Sequence, residues 1–163
     1  MALRKVQEGR WFHFFPEGKT EAHSDRLGGR SDPEAVKTKG LLKWGVGKVI
    51  AHAQPTPAVV PFYHVGMRNI MPQDETTNKC VHLVPATGQE VFVRFGAPIS
   101  FDDILVKHRV ARAEARAAVE RAPESGGAQL DPFRSTPADK ACYHEITSRI
   151  ERRLLALEEL TMA

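Results

Sequence analysis

The run Phe14-Phe15-Pro16-Glu17-Gly18-Lys19 sets a carboxylate and an ammonium group around a Pro/Gly turn, directly after an aromatic stretch. Open α/β sheets place ligand chemistry at the ends of hydrophobic strands. A carboxylate held there can pair with an arginine, cap backbone N–H groups or orient the counter-cation of a phosphate-bearing substrate. The plain alternative is an ordinary turn, with Glu17 tying down the loop. A second run, Val59-Val60-Pro61-Phe62-Tyr63-His64-Val65-Gly66-Met67, sets Pro61 and His64 in apolar sequence. Pro61 lacks the N–H of a central strand residue, which suits a strand edge or end. His64, next to Tyr63, is either a chemical group or a hydrogen-bonded packing residue. Between the two runs, Lys43-Trp44-Gly45-Val46-Gly47 puts Lys43 near a helix start, where backbone N–H groups favour anions; a solvated lysine is the alternative.

The elements that position these residues follow from patterning. Gly9 to Phe15 is nearly continuous in bulky and aromatic residues, which predicts a strand buried on both faces. Leu41 to Ala53 is apolar at three- and four-residue spacings and predicts a helix that Pro55 and Pro57 stop. Ala58 to Phe62 predicts a second buried strand, so that strand, helix and strand make a right-handed βαβ unit. Cys80 to Val84 and Glu90 to Phe95 predict two further strands joined at Ala86-Thr87-Gly88. An exposed helix is expected near Val110 to Glu120, followed by a loop over Pro123 to Pro132. Thr136 to Leu160 is the clearest helix: Thr136 as N-cap, Pro137 at the first position, Asp139 in the first turn, and an apolar stripe through Tyr143, Ile146, Ile150, Leu154, Leu157 and Leu160. The expected fold class is α/β, with a mostly parallel central sheet and flanking helices. One domain over 1–163 is expected, with a polar insertion at 22–32 and a flexible insertion at 111–132.

Composition narrows the function classes. The net charge of +3 is mild, and no aromatic-interleaved Lys/Arg stripe argues for nucleic acid. Cys80 and Cys142 form no Cys-x-x-Cys pair, which suits a reducing compartment. No window approaches the ~20 apolar residues of a membrane span, so any membrane contact is expected to be peripheral. No zinc spacing, phosphate loop or Gly-x-Ser-x-Gly elbow is present, and no metal or cofactor is expected.

Phe-Pro-Glu-Gly-Lys, Lys-Trp-Gly-Val-Gly and Val-Val-Pro-Phe-Tyr-His-Val-Gly-Met, in this order, resemble blocks of the glycerophospholipid acyltransferase superfamily, and most of all its tafazzin family. The resemblance covers roughly Gly9 to Ser100, with a looser match in the final helix. It implies a phospholipid–lysophospholipid acyltransferase, or transacylase, of the kind that remodels cardiolipin. Phe15, Pro16, Glu17, Gly18, Lys19, Lys43, Pro61 and His64 would then shape the acceptor and acyl pocket. It further implies phospholipid and lysophospholipid substrates, a peripheral membrane surface and a mitochondrial location.

That superfamily draws its general base from a His-x-x-x-x-Asp motif upstream of the Phe-Pro-Glu-Gly block. Here no histidine has Asp five residues on: His13, His23, His52, His64, His82, His108 and His144 are followed there by Gly18, Gly28, Pro57, Asn69, Thr87, Ala113 and Arg149. No catalytic residue is therefore identifiable, and an acyltransferase domain incomplete at its N-terminus is expected. Such a base typically contributes ~10²–10⁴-fold, so the chain alone should be weakly active or inactive. The alternative function is a non-catalytic lipid-binding or interaction protein that kept the pocket-forming half. Strands without their neighbours expose edges and apolar surface, so the isolated chain is expected to self-associate.

Overall fold

The computed structural model describes residues 2–18, 40–74, 76–77, 79–121 and 135–163. In chain order the elements are α1 (Ala2–Gln7), α2 (Gly45–His52), β1 (Phe62–Val65), α3 (Met67–Ile70), β2 (Phe92–Phe95), α4 (Asp102–Arg121) and α5 (Pro137–Met162). They fall into two compact units. The first comprises Met1–His13, Trp44–Pro57 and Ser100–Thr147; the second comprises Phe14–Lys43, Ala58–Ile99 and Ser148–Ala163.

The first unit is helical. The Thr136 hydroxyl accepts from the Asp139 N–H at 3.1 Å, and the Asp139 carboxylate accepts from the Thr136 N–H at 3.1 Å. This reciprocal box satisfies two donors at the start of α5; the sequence predicts Thr136 as the N-cap, and the return bond from Asp139 is a finding of the structure. From there Cys142, Tyr143 and Ile146 are fully buried, as are Phe101 and Ile104 around the start of α4, to within 1%. Each large apolar side chain so buried stabilises by ~1.5–3 kcal/mol. Helix α2 presses on α5 at Gly47, where an added Cβ would stand 2.3 Å from the Tyr143 carbonyl oxygen. The indole of Trp44 stacks on the Tyr143 ring, centroids 5.8 Å apart.

The second unit contains the sheet. Strands β1 and β2 pair antiparallel with Phe62 opposite Phe95, Tyr63 opposite Arg94, His64 opposite Val93 and Val65 opposite Phe92. An isolated antiparallel bridge joins Val59 to Ile99. Tyr63, Ile99, Leu42, Ile150, Leu154 and Leu157 are its buried apolar residues.

Several sequence expectations change. Residues 10–15 form no strand; Trp11 is 100% exposed and Phe15 56%. Apolar character signals a wish for burial, but extended backbone becomes a strand only where a ladder partner meets its N–H and C=O groups. Cys80 to Val84 is likewise not a strand. Cys80 makes a lone bridge with Gln73, and Leu83 is wholly exposed. The partner of Phe92–Phe95 is instead β1, nearly thirty residues earlier in the chain. The helix expected from Leu41 starts at Gly45, because residues 41–43 are drawn into other bonds described below. Pro61 lies just ahead of β1 rather than inside it, so its missing N–H leaves no gap in the ladder. Ala111 to Arg121 continue α4, whereas residues 122–134 and the 22–32 stretch lie outside the described residues.

Candidate functional site

The Phe-Pro-Glu-Gly block folds as a tight turn in the second unit. The Gly18 N–H donates to the Phe15 carbonyl at 3.1 Å, and Gly18 takes a φ of +71°, a left-handed value glycine adopts without strain. Glu17 is half-buried here and Phe15 exposed. The Lys43 N–H donates to the Pro16 carbonyl at 2.8 Å, and its side chain lies over Gly18, so close that a Cβ there would fall 2.6 Å from Nζ. Two blocks twenty-five residues apart thus meet, with an ammonium group laid across the turn. Glu151 of α5 holds this arrangement from behind: its Oε2 accepts from Leu41 N–H at 2.8 Å and Leu42 N–H at 3.2 Å. No motif in the sequence singles out Glu151. Lys19 lies outside the described residues.

Pro61 and His64 are held by a different set of neighbours in the same unit. Pro61 is buried; its carbonyl accepts from Gly96 N–H at 2.9 Å. His64 is half-buried on β1, tilted against the Phe62 ring at 6.2 Å, and its Nδ1 is buried without a hydrogen-bond partner.

The first unit contains a polar cluster that motifs do not reveal. Arg112 donates from Nε to Asp139 Oδ1 at 2.8 Å and from Nη1 to the Ala51 carbonyl at 3.2 Å. Its Nη2 and that of Arg116 approach His52 Nε2 at 3.4 and 3.5 Å, and the Tyr143 hydroxyl bonds the same nitrogen. Arginine can only donate, so Nε2 is the acceptor and the imidazole is neutral, with its proton on Nδ1. Burial, and then the charges of Arg112 and Arg116, lower the His52 pKa to about 4. Such a nitrogen is a poor general base near neutrality, and its lone pair is already engaged. His52 therefore does not stand in for the missing His-x-x-x-x-Asp pair. The signal that could have found this cluster is the four-residue spacing of Arg112 and Arg116, which puts both on one face of α4.

No protein-family model matches the chain, and no solved structure matches it. Curated sequences do. The chain is 28% identical over 106 residues to tafazzin of Drosophila melanogaster. It is 34% identical over 101 residues to N-acylphosphatidylethanolamine synthase of Arabidopsis thaliana, and 26% identical over 111 residues to taffazin of Dictyostelium discoideum. These alignments take in 65%, 62% and 66% of this chain but only 23%, 31% and 32% of the respective relatives. The chain thus spans about a quarter to a third of the length of the curated relatives it matches. Over roughly two thirds of its own residues, it is a sequence relative of the tafazzins and of N-acylphosphatidylethanolamine synthase.

Proposed function

We propose that this chain forms the acceptor-side part of a phospholipid–lysophospholipid acyltransferase of tafazzin type. The observation that carries the reading is the meeting of Lys43 with the Phe15–Gly18 turn, which unites two of the blocks on which the resemblance rests. In the proposed reaction a lysophospholipid hydroxyl attacks the ester carbonyl of a donor phospholipid. The new ester bond forms as the donor's breaks, and the acceptor's proton ends on the released donor hydroxyl. The Lys43 ammonium offers charge for a substrate phosphate, and Glu17 shapes the turn beneath it. Around β1 we propose a mostly parallel sheet with flanking helices. Cardiolipin remodelling, a mitochondrial location, self-association of the isolated chain and a peripheral membrane surface belong to the same reading. No helix among the described residues is long and apolar enough to cross a membrane. One relative is named for an N-acylated phosphatidylethanolamine, so an amine acceptor belongs beside the hydroxyl in the assay.

A second reading, a lipid-binding or interaction protein without turnover, draws on the His52 nitrogen being engaged by the Tyr143 hydroxyl. The deciding experiment follows labelled acyl groups from phosphatidylcholine to lysophospholipid or phosphatidylethanolamine, using protein isolated at its native length. Transfer that falls at least tenfold in Lys43→Met supports the enzyme. Binding of lysolipid with no transfer to either acceptor supports the second reading.

A further inference from the structure

Three successive N–H groups in the second unit are committed where the chain delivers the Lys43 side chain. Leu41 and Leu42 lie outside any helix or strand, so no helical or ladder carbonyl meets their N–H groups. Both converge instead on one oxygen, Glu151 Oε2, at 2.8 and 3.2 Å. Gly40 permits the convergence: its φ is +76°, and an added Cβ would stand 3.0 Å from that same oxygen. Consecutive N–H groups turned to one side in this way form a concave seat for an anion. The third N–H, that of Lys43, donates to the Pro16 carbonyl at 2.8 Å.

The occupant of the seat comes from a fixed helix, because Ile150 and Leu154 anchor α5 by burial on either side of Glu151. Leu42 is buried as well, so the segment is held by its side chain and its backbone together. The Lys43 stem then runs along the turn, where a Cβ on Gly18 would fall 2.6 Å from Nζ, 2.7 Å from Cδ and 2.8 Å from Cε. A lysine is a hydrated point charge on a flexible stem. Fixing its backbone narrows the region that the ammonium visits.

We infer that Glu151 is a positioning residue of the acceptor site: it touches no substrate, and by seating residues 41 and 42 it sets where the Lys43 ammonium meets the acceptor's phosphate. The inference rests on the reading of Lys43 given above. A phosphate contact away from the reacting hydroxyl is made in the ground state and the transition state alike. Its loss therefore raises KM and leaves kcat in place.

The test is acyl-transfer kinetics of the protein at its native length, with lysophosphatidylcholine as the acceptor. Glu151→Ala should raise the acceptor KM about tenfold, the worth of one hydrogen bond to a charged group, with kcat within about twofold of wild type. Partial unfolding would lower kcat instead. Glu151→Gln keeps an oxygen that accepts both N–H groups, and should return KM to within about threefold of wild type. In a Lys43→Met background, Glu151→Ala should cost less than about twofold more, because the two residues act as one.

A wild-type KM in Glu151→Ala would overturn the inference. So would equal losses with and without Lys43, or a glutamine variant as impaired as the alanine one. Carbon-13 relaxation at Lys43 Cε gives a second readout that needs no turnover. Its order parameter should fall in Glu151→Ala and hold in Glu151→Gln; unchanged order in Glu151→Ala would overturn the inference too. The two proposals thus fail separately. Protein that transfers no acyl group removes the reaction alone, and transfer that depends on Lys43 but not on Glu151 removes the positioning alone.

Discussion

Replacing Asp139 by Asn tests the organisation of the first unit. The carboxylate is 0% exposed and accepts from Arg112 Nε at 2.8 Å, from the Thr136 N–H at 3.1 Å and from the Thr136 hydroxyl at 3.0 Å. An amide keeps one oxygen as acceptor but turns an NH₂ toward donors on the other side, and it leaves the largely buried Arg112 without its counter-charge. Breaking one side of a buried ion pair costs about 3–5 kcal/mol. Small domains have ~5–15 kcal/mol in all, so the urea midpoint followed by circular dichroism should fall by a large fraction. Burial by itself raises the Asp139 pKa, but the hydrogen bonds of Arg112 and Thr136 and the charge of Arg116 outweigh it, and the pKa is lowered from 3.8. Below that value the unfolded state therefore binds more protons than the folded one. The stabilisation is complete above the unfolded pKa and is lost as pH falls through the folded pKa. The gap between wild type and variant should be full near neutral pH and shrink in acid. A variant within about 0.5 kcal/mol of wild type near neutral pH would refute the reasoning, as would a gap that stays constant into acid. Pairing Asp139→Asn with Arg112→Met should recover part of the loss, because the orphaned charge goes too.

Three further outcomes follow from the same geometry. Gly47→Ala gains about 1 kcal/mol of helix propensity but drives a methyl to 2.3 Å from the Tyr143 carbonyl oxygen and 2.8 Å from Thr147 Oγ. Backbone cannot yield as a side-chain tip does, so the melting temperature should fall; an unchanged or raised one would contradict the packing of α2 on α5. His52, with its pKa lowered to about 4 by burial and then by Arg112 and Arg116, should stay neutral through the range where a free histidine titrates. Its contribution to stability therefore declines as pH drops from 6.5 toward about 4, where only the unfolded state takes the proton; an NMR midpoint near 6.5 would contradict this. Glu151→Ala removes the acceptor of two backbone N–H groups, each such bond to a charged group contributing ~1.5–3 kcal/mol. Amide exchange at Leu41 and Leu42 should quicken by roughly tenfold or more, and unchanged protection would remove Glu151 from the support of Lys43.

Helix α5 is legible in the sequence because its signals are local: Thr136, Pro137 and Asp139 lie within four residues, and the stripe from Tyr143 to Leu157 repeats every three or four. The Phe15–Gly18 turn is legible for the same reason. Strand pairing is less legible, because a strand is defined by its partner. The aromatic run to Phe15 is not a strand, and Phe92–Phe95, expected as a strand, pairs with β1 rather than with the neighbouring Cys80–Val84. The support of the Lys43 turn and the polar cluster of the helical unit are each invisible in the sequence because they act at long range: Glu151 reaches Leu41 across 110 residues, and Arg112 reaches His52 across 60. No local pattern encodes such a meeting. Asp139 shows the limit well, since its place in the helix cap is readable and its bond to Arg112 is not.

The most direct test of the central claim is acyl transfer by the protein at its native length, comparing wild type with Glu17→Gln and following label from phosphatidylcholine into lysophospholipid. The account predicts transfer by the wild type and a loss of at least tenfold in the variant, with lysolipid still bound. Wild-type turnover in Glu17→Gln, or no transfer by the native protein to any lysolipid offered, would contradict it.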